Sequence, residues 1–137
     1  MAAFEAATKK GSTTPEEAYA IFDALQNIPV EFMLGTWKGS GFRTGHLMDG
    51  RLEAFNCYGK SFNGIDQVDS LVETHQLAAR LRTMVTRGEP NAAMIYNQLP
   101  IMDFFRKVDH NTVLGLMDNP TIRSHNFFFV LRRAEEG

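Results

Sequence analysis

Short strand-like segments separated by tight turns occupy most of this 137-residue chain. The clearest is 78–87, where Ala79, Leu81, Thr83 and Val85 alternate with a second row of side chains. Period-two alternation is typical of a strand with one buried face. Further strands are predicted at 32–43, 51–62, 92–98, 101–108, 112–117 and 126–133. Residues 64–77 show no clear period and are interpreted as a loop or short helix.

The turns between these segments are short, which predicts an antiparallel meander that closes as a sandwich or barrel. Eleven glycines and eleven phenylalanines favour the barrel, since glycine lets strands bend sharply or approach closely. We therefore predict an all-β fold, a closed antiparallel meander barrel of about eight strands, whose interior has room for one small ligand.

The first 30 residues have a different pattern. Residues 1–14 are polar near their end and are expected to be a disordered tail. Thr14 and Pro15 form a helix start, and Pro29 ends the helix. Its apolar stripe is Ala18, Ile21, Phe22 and Leu25. This helix should cap a single barrel domain spanning 15–137.

Composition excludes several classes of protein. The net charge of −2 argues against a nucleic-acid-binding domain, which is normally basic. The lone Cys57 cannot form an internal disulfide, and no apolar run approaches the ~20 residues that span a bilayer. With no recognisable secretory signal, the protein is expected to be cytoplasmic and to bind neither membrane nor nucleic acid. The sequence leaves a homodimer open.

The segment Gly35-Thr-Trp37-Lys-Gly39-Ser-Gly41 opens the first strand, and Arg132 and Arg133 end the last. This arrangement resembles the calycin superfamily of lipocalins and fatty-acid-binding proteins. The resemblance implies that Trp37 plugs the closed end of the barrel and that one of the two arginines lies across it. Cation–π attraction between guanidinium and indole is the physical reason.

A longer likeness covers about residues 28–133. The segments that carry it, 31–39, 45–46, 94–107, 112–118 and 127–133, resemble the GXWXG-domain family. Those proteins have a GXWXG segment followed by a C-terminal region of unassigned function, so the resemblance implies a fold rather than an activity.

Nitrobindin, a haem-holding barrel, is more distantly similar to this chain, and that likeness would make His125 an axial ligand. We predict instead that the protein has no cofactor and no metal. The histidines at 46, 75, 110 and 125 lack the spacing of metal ligands, and Cys57 is alone.

Candidate catalytic residues centre on the strand at 101–108. Arg106 shares one face of it with Met102, Phe104 and Val108, while Asp103 lies on the other face. Arg106 either binds a carbonyl or anionic group of a ligand, meets an internal acid, or faces outward; we predict the first. In the hairpin at 99–100, opposing residue numbers should sum to about 199, which places Tyr96 opposite Asp103.

His46, in a glycine-flanked turn, is a further candidate acid or base together with Arg106, Asp103 and Tyr96. The residues predicted to line the cavity are Tyr58, Met94, Met102, Phe104, Met117 and Phe129.

The predicted ligand is a small, largely apolar or amphipathic metabolite held in the barrel. Two classes of protein fit this expectation. One is a cofactor-independent cyclase or isomerase of a polyketide-, terpenoid- or lipid-like substrate, and the other is a passive carrier or sensor. A carrier needs one polar anchor, whereas proton-transfer catalysis needs at least two polar groups that meet.

Overall fold

The computed structural model describes residues 2–50, 59–72, 75–122 and 124–134. In this part of the chain eight strands form a closed antiparallel barrel, in which each strand pairs with the next and the last pairs with the first. The strands are β1 (Gly35–Gly41), β2 (Gly59–Gly64), β3 (Gln67–Val72), β4 (His75–Thr86), β5 (Glu89–Tyr96), β6 (Met102–Asp109), β7 (Thr112–Asp118) and β8 (Phe127–Arg133). The predicted all-β meander barrel is confirmed.

Two helices precede the barrel. In place of the disordered tail expected over 1–14, Ala2–Lys10 form α1, which buries Phe4 and Ala7. The Phe4 ring stacks on Phe42, with centroids 5.6 Å apart. Only two of the nine residues are buried, so the apolar stripe of α1 is too weak for the helix to be predicted from the sequence. None of the helices in the described residues is long and apolar enough to cross a membrane.

The second helix, α2 (Pro15–Ala24), begins where the sequence predicts it. The Thr14 side chain caps its N-terminus by accepting a hydrogen bond from the backbone N–H of Glu17. Ala18, Ile21 and Phe22 of its apolar stripe are buried.

The segment interpreted as a loop or short helix, 64–77, contains all of β3 and the start of β4. Val68 and Ser70 of β3 are buried while Asp69 between them is exposed, so the strand does alternate. Because one of the inward residues is a serine, hydrophobic and polar residues do not alternate clearly along this segment, and the sequence did not predict the strand.

Side chains are buried on both sides of the barrel wall. The inner core includes Trp37, Phe62, Val68, Leu81, Met94, Phe105, Phe127, Phe129 and Leu131. An outer cluster joins the helices to the outside of the wall and includes Phe4, Ile21, Phe22, Phe104, Leu116, Phe128 and Val130. Because β6 and β8 are covered on both faces, an apolar row on either strand does not by itself mark the interior.

Trp37 lies inside the barrel and is 1% exposed. Its Nε1–H donates to the Met33 carbonyl oxygen at 2.8 Å, in the 3-10 helix Val30–Met33. The Arg133 guanidinium carbon lies 4.2 Å from the centre of a Trp37 ring. The expected arginine cover is therefore present, and Arg133 provides it, while Arg132 donates to the Ser40 hydroxyl.

Candidate functional site

Four polar side chains are buried inside the apolar barrel. Lys60 of β2, Ser70 of β3, Tyr96 of β5 and Asp103 of β6 are each no more than 4% exposed. We call these four residues the polar cluster. Buried polar groups are costly unless they find partners, so a group of four in one core calls for a specific explanation.

Lys60 is at the centre of the polar cluster. Its Nζ donates to Ser70 Oγ at 2.9 Å and to Tyr96 Oη at 3.2 Å. The same Nζ lies 3.3 Å from Asp103 Oδ2, and both of these side chains are fully buried. Lys60 thus donates to two hydroxyls and forms an ion pair with a carboxylate.

The hydroxyls of Ser70 and Tyr96 are 3.0 Å apart, and either can be the donor. Together they carry two hydroxyl protons, of which their mutual bond uses one. Among the described residues, no acceptor receives the other proton. Neither oxygen of Asp103 has a hydrogen-bond partner there, and only Oδ2 is in ion-pair contact with Lys60, which leaves Oδ1 as the spare acceptor. The polar cluster thus has one spare O–H donor and one spare acceptor.

Burial raises the pKa of Asp103 above its ordinary value, because the interior disfavours a carboxylate charge, while Lys60 acts against this shift. The Lys60 Nζ also lies 5.5 Å from the centre of the Tyr96 ring and 5.6 Å from that of Phe129, and aromatic faces at these distances attract a cation.

Three of the predicted lining residues belong to the inner side of the wall. Met94 and Met117 are the cross-strand partners of Asp103 on its two neighbouring strands. Phe129 is in the inner core. Tyr58, also predicted to line the cavity, lies outside the described residues.

Asp103 pairs with Met94, so the predicted register, which placed it opposite Tyr96, is wrong by two residues. The residues of 97–101 form a longer turn than the two-residue turn assumed for this hairpin. Tyr96 and Asp103 nevertheless meet, through Lys60.

Arg106 is not a cavity residue, and the prediction that it faces a ligand is wrong. Its Nη1 donates to the backbone carbonyls of Phe22 and Asp23 at 3.0 and 3.1 Å, in the last turn of α2. Its Nε donates to Asn91 Oδ1 at 2.8 Å. A cation at a helix C-terminus satisfies carbonyls that the helix leaves unpaired.

Met102 and Phe104 share this outer row and pack in the outer cluster, so they too were wrongly assigned to the cavity. The row is apolar because α2 covers it. Asp103 occupies the inner face instead.

Replacing Arg106 with Met should lower the free energy of unfolding by about 2–3 kcal/mol, since buried carbonyls of α2 lose a charged donor. Ligand binding inside the barrel should not change. Urea denaturation and a binding titration of the same variant check both statements. If a folded Arg106→Met variant bound the ligand more weakly, Arg106 would have to be part of the binding site.

His46 lies in the loop after β1, apart from the polar cluster. It is 5% exposed, and its ring centroid is 5.4 Å from that of Phe127. Its Nδ1 accepts from the Met48 N–H at 3.0 Å. Burial lowers the pKa of His46, as does nearby His125, against the opposing effect of Asp49.

His125, the residue considered for haem ligation, has Nε2 2.9 Å from Thr44 Oγ1. No group of three or more His, Cys, Asp or Glu in the described residues is arranged to hold a metal ion.

Lys60 and Ser70 were missed at the sequence level. One signal for Lys60 existed: it lies two residues before Phe62, so period two puts a lysine on the apolar face of that strand. Ser70 gave no signal, because its segment was not interpreted as a strand.

The GXWXG protein family profile matches residues 20–77, and the profile of a domain of unknown function, DUF4334, matches residues 77–133. A crystal structure of a protein from Thermomonospora curvata is 34% identical, with a TM-score of 0.82, over 98% of this chain and 100% of its own. The chain belongs to the GXWXG family. None of the curated proteins compared with it matches.

The polar cluster draws on both halves of this GXWXG-family barrel. Lys60 and Ser70 lie in the part matched by the first profile, and Tyr96 and Asp103 lie in the part matched by the second. The four side chains meet only when the two matched regions close into one barrel.

Proposed function

We propose that the barrel interior binds a small, largely apolar organic molecule whose polar group is held by the polar cluster. The observation that carries this proposal is Asp103 Oδ1, an acceptor that is fully buried and has no partner among the described residues. Leaving such an atom unpaired costs about 1–3 kcal/mol, which a donor on a ligand would recover.

The spare groups define the chemistry of that polar group. One spare hydroxyl of the Ser70–Tyr96 pair can donate, and Asp103 Oδ1 can accept. A single hydroxyl group both accepts and donates, so an alcohol, a phenol or an enol satisfies both sides at once. The remainder of the molecule would contact Met94, Met117, Phe129 and other inner-core side chains.

The convergence of polar groups favours an enzyme over a passive carrier. One carboxylate and two hydroxyls surround Lys60 Nζ within 3.3 Å, whereas an anchor for a carrier needs only one such group. We propose a cofactor-independent isomerase or cyclase of a polyketide-, terpenoid- or lipid-like substrate. A lipocalin-like carrier is the alternative.

Calorimetric titration with 2-naphthol and with 2-methylnaphthalene, which differ in one hydroxyl, tests the binding proposal. We expect 2-naphthol to bind about tenfold more tightly, from one additional charge-assisted hydrogen bond. The double variant Lys60→Met/Asp103→Leu should lose this preference while still binding 2-methylnaphthalene.

Arg106→Met is the matched control, because it removes a buried charge on the outside of the wall and should keep the preference for 2-naphthol. Absence of binding by either compound, or equal affinities in the wild-type protein, would overturn the proposed function.

A further inference from the structure

We propose that the polar cluster catalyses keto–enol proton transfer in a small apolar ketone, with Asp103 as the base and the Ser70–Tyr96 hydroxyl pair as the donor to the carbonyl oxygen. This inference rests on the proposed function and names its substrate class. The spare donor can hydrogen-bond to the oxygen of a ketone or of its enol. The spare acceptor can take the proton that a ketone loses when it becomes the enol.

The base and the donor both lie next to the same charge. Asp103 Oδ2 and Tyr96 Oη lie 3.3 and 3.2 Å from the same Lys60 Nζ. In a ketone, the oxygen and the α-carbon are separated by only one carbon, so the two reacting positions need acid and base groups that are close together. Asp103 Oδ1, the oxygen without a partner, is the atom that would take the proton.

Each atom and electron pair is accounted for. The α-carbon–hydrogen bond breaks and an O–H bond forms at Asp103 Oδ1. The electron pair of the broken bond becomes the carbon–carbon double bond, and the carbonyl π pair moves to oxygen, where the spare hydroxyl donates to it. Return of the proton to the same carbon or a conjugated one completes an exchange or an isomerisation, without oxidant or reductant.

The charge of Lys60 explains why this step would be favoured here. Before proton transfer the negative charge is on Asp103, and afterwards it is on the enolate oxygen beside Tyr96. The ammonium of Lys60 lies next to both Asp103 and Tyr96. The negative charge therefore has a positive partner both before and after the proton transfer. Fixed donors in a site without bulk water stabilise such a developing charge strongly. Burial, which raises the pKa of Asp103, also makes its carboxylate a stronger base.

Deuterium uptake by 2-tetralone tests the inference, since this ketone has the ring skeleton of 2-naphthol and an enolisable α-carbon. With protein in D2O, proton NMR should show loss of the α-hydrogen signal at least about 100-fold faster than in buffer. Asp103→Asn should remove about 100-fold of that rate, and Tyr96→Phe about tenfold. In the wild-type protein the rate should rise with pH as Asp103 ionises, a limb that Asp103→Asn should lack.

Arg106→Met should exchange at the wild-type rate. If Asp103→Asn does not fold, Lys60→Met/Asp103→Leu takes its place as the variant without a base. Displacement of 2-naphthol by 2-tetralone, with exchange only at the buffer rate, would overturn this inference and leave the proposed function standing. Failure of both compounds to bind would remove the proposed function itself. Undiminished exchange in the folded variant without Asp103 would place the base elsewhere.

Discussion

Lys60→Met alone is expected to lower the free energy of unfolding by about 3–5 kcal/mol, because it leaves the Asp103 carboxyl buried without its charged partner. Asp103→Leu alone should cost a similar amount, because it removes this carboxylate from beside the buried Lys60 ammonium. The double variant replaces the ion pair with apolar side chains and should recover most of the loss, to within about 1 kcal/mol of the wild type or above it.

Urea denaturation followed by circular dichroism at pH 7 measures all four proteins as a double-mutant cycle. The exposed pair Arg82–Asp66, with an N–O distance of 2.7 Å and side chains 43% and 69% exposed, is the matched control. Its corresponding cycle should give a coupling below about 1 kcal/mol. Additive losses at Lys60 and Asp103 would show that the two groups are not coupled in the folded protein.

Trp37→Ala should lower the free energy of unfolding by about 3–5 kcal/mol, the usual cost of truncating a buried aromatic side chain. The indole fills the inner core, donates to the Met33 carbonyl and stacks under Arg133, so its loss removes three kinds of contact. Urea denaturation followed by circular dichroism is suitable, because the variant lacks the chain's single tryptophan.

Trp37→Phe is the control for Trp37→Ala. It keeps an aromatic ring for Arg133 but loses the N–H donor, and should therefore be intermediate in stability. A Trp37→Ala protein that unfolds at the wild-type urea concentration would contradict the assigned role of the indole in closing the barrel.

Local physical chemistry made several features predictable from the sequence. Thr14 and Pro15 cap and start α2, since a side-chain acceptor and a fixed φ act within one turn. The alternation in β4 and the short turns between strands led to an antiparallel barrel, because strand period and loop length are themselves local properties. The Trp37–Arg133 contact followed from a family resemblance rather than from any local rule.

The sequence by itself determined that this chain forms strands, that they connect as a meander and that Asp103 and Arg106 lie on opposite faces of β6. Only the tertiary structure decided which of those faces is the interior. A period of two separates the two faces of a strand but does not show which of them points inward. Both faces of β6 are covered by apolar side chains, the outer face by α2 and the inner face by the barrel core. The same holds for the polar cluster: Lys60, Ser70, Tyr96 and Asp103 lie on four strands, and only closure of the barrel brings their polar atoms within hydrogen-bonding distance of Lys60.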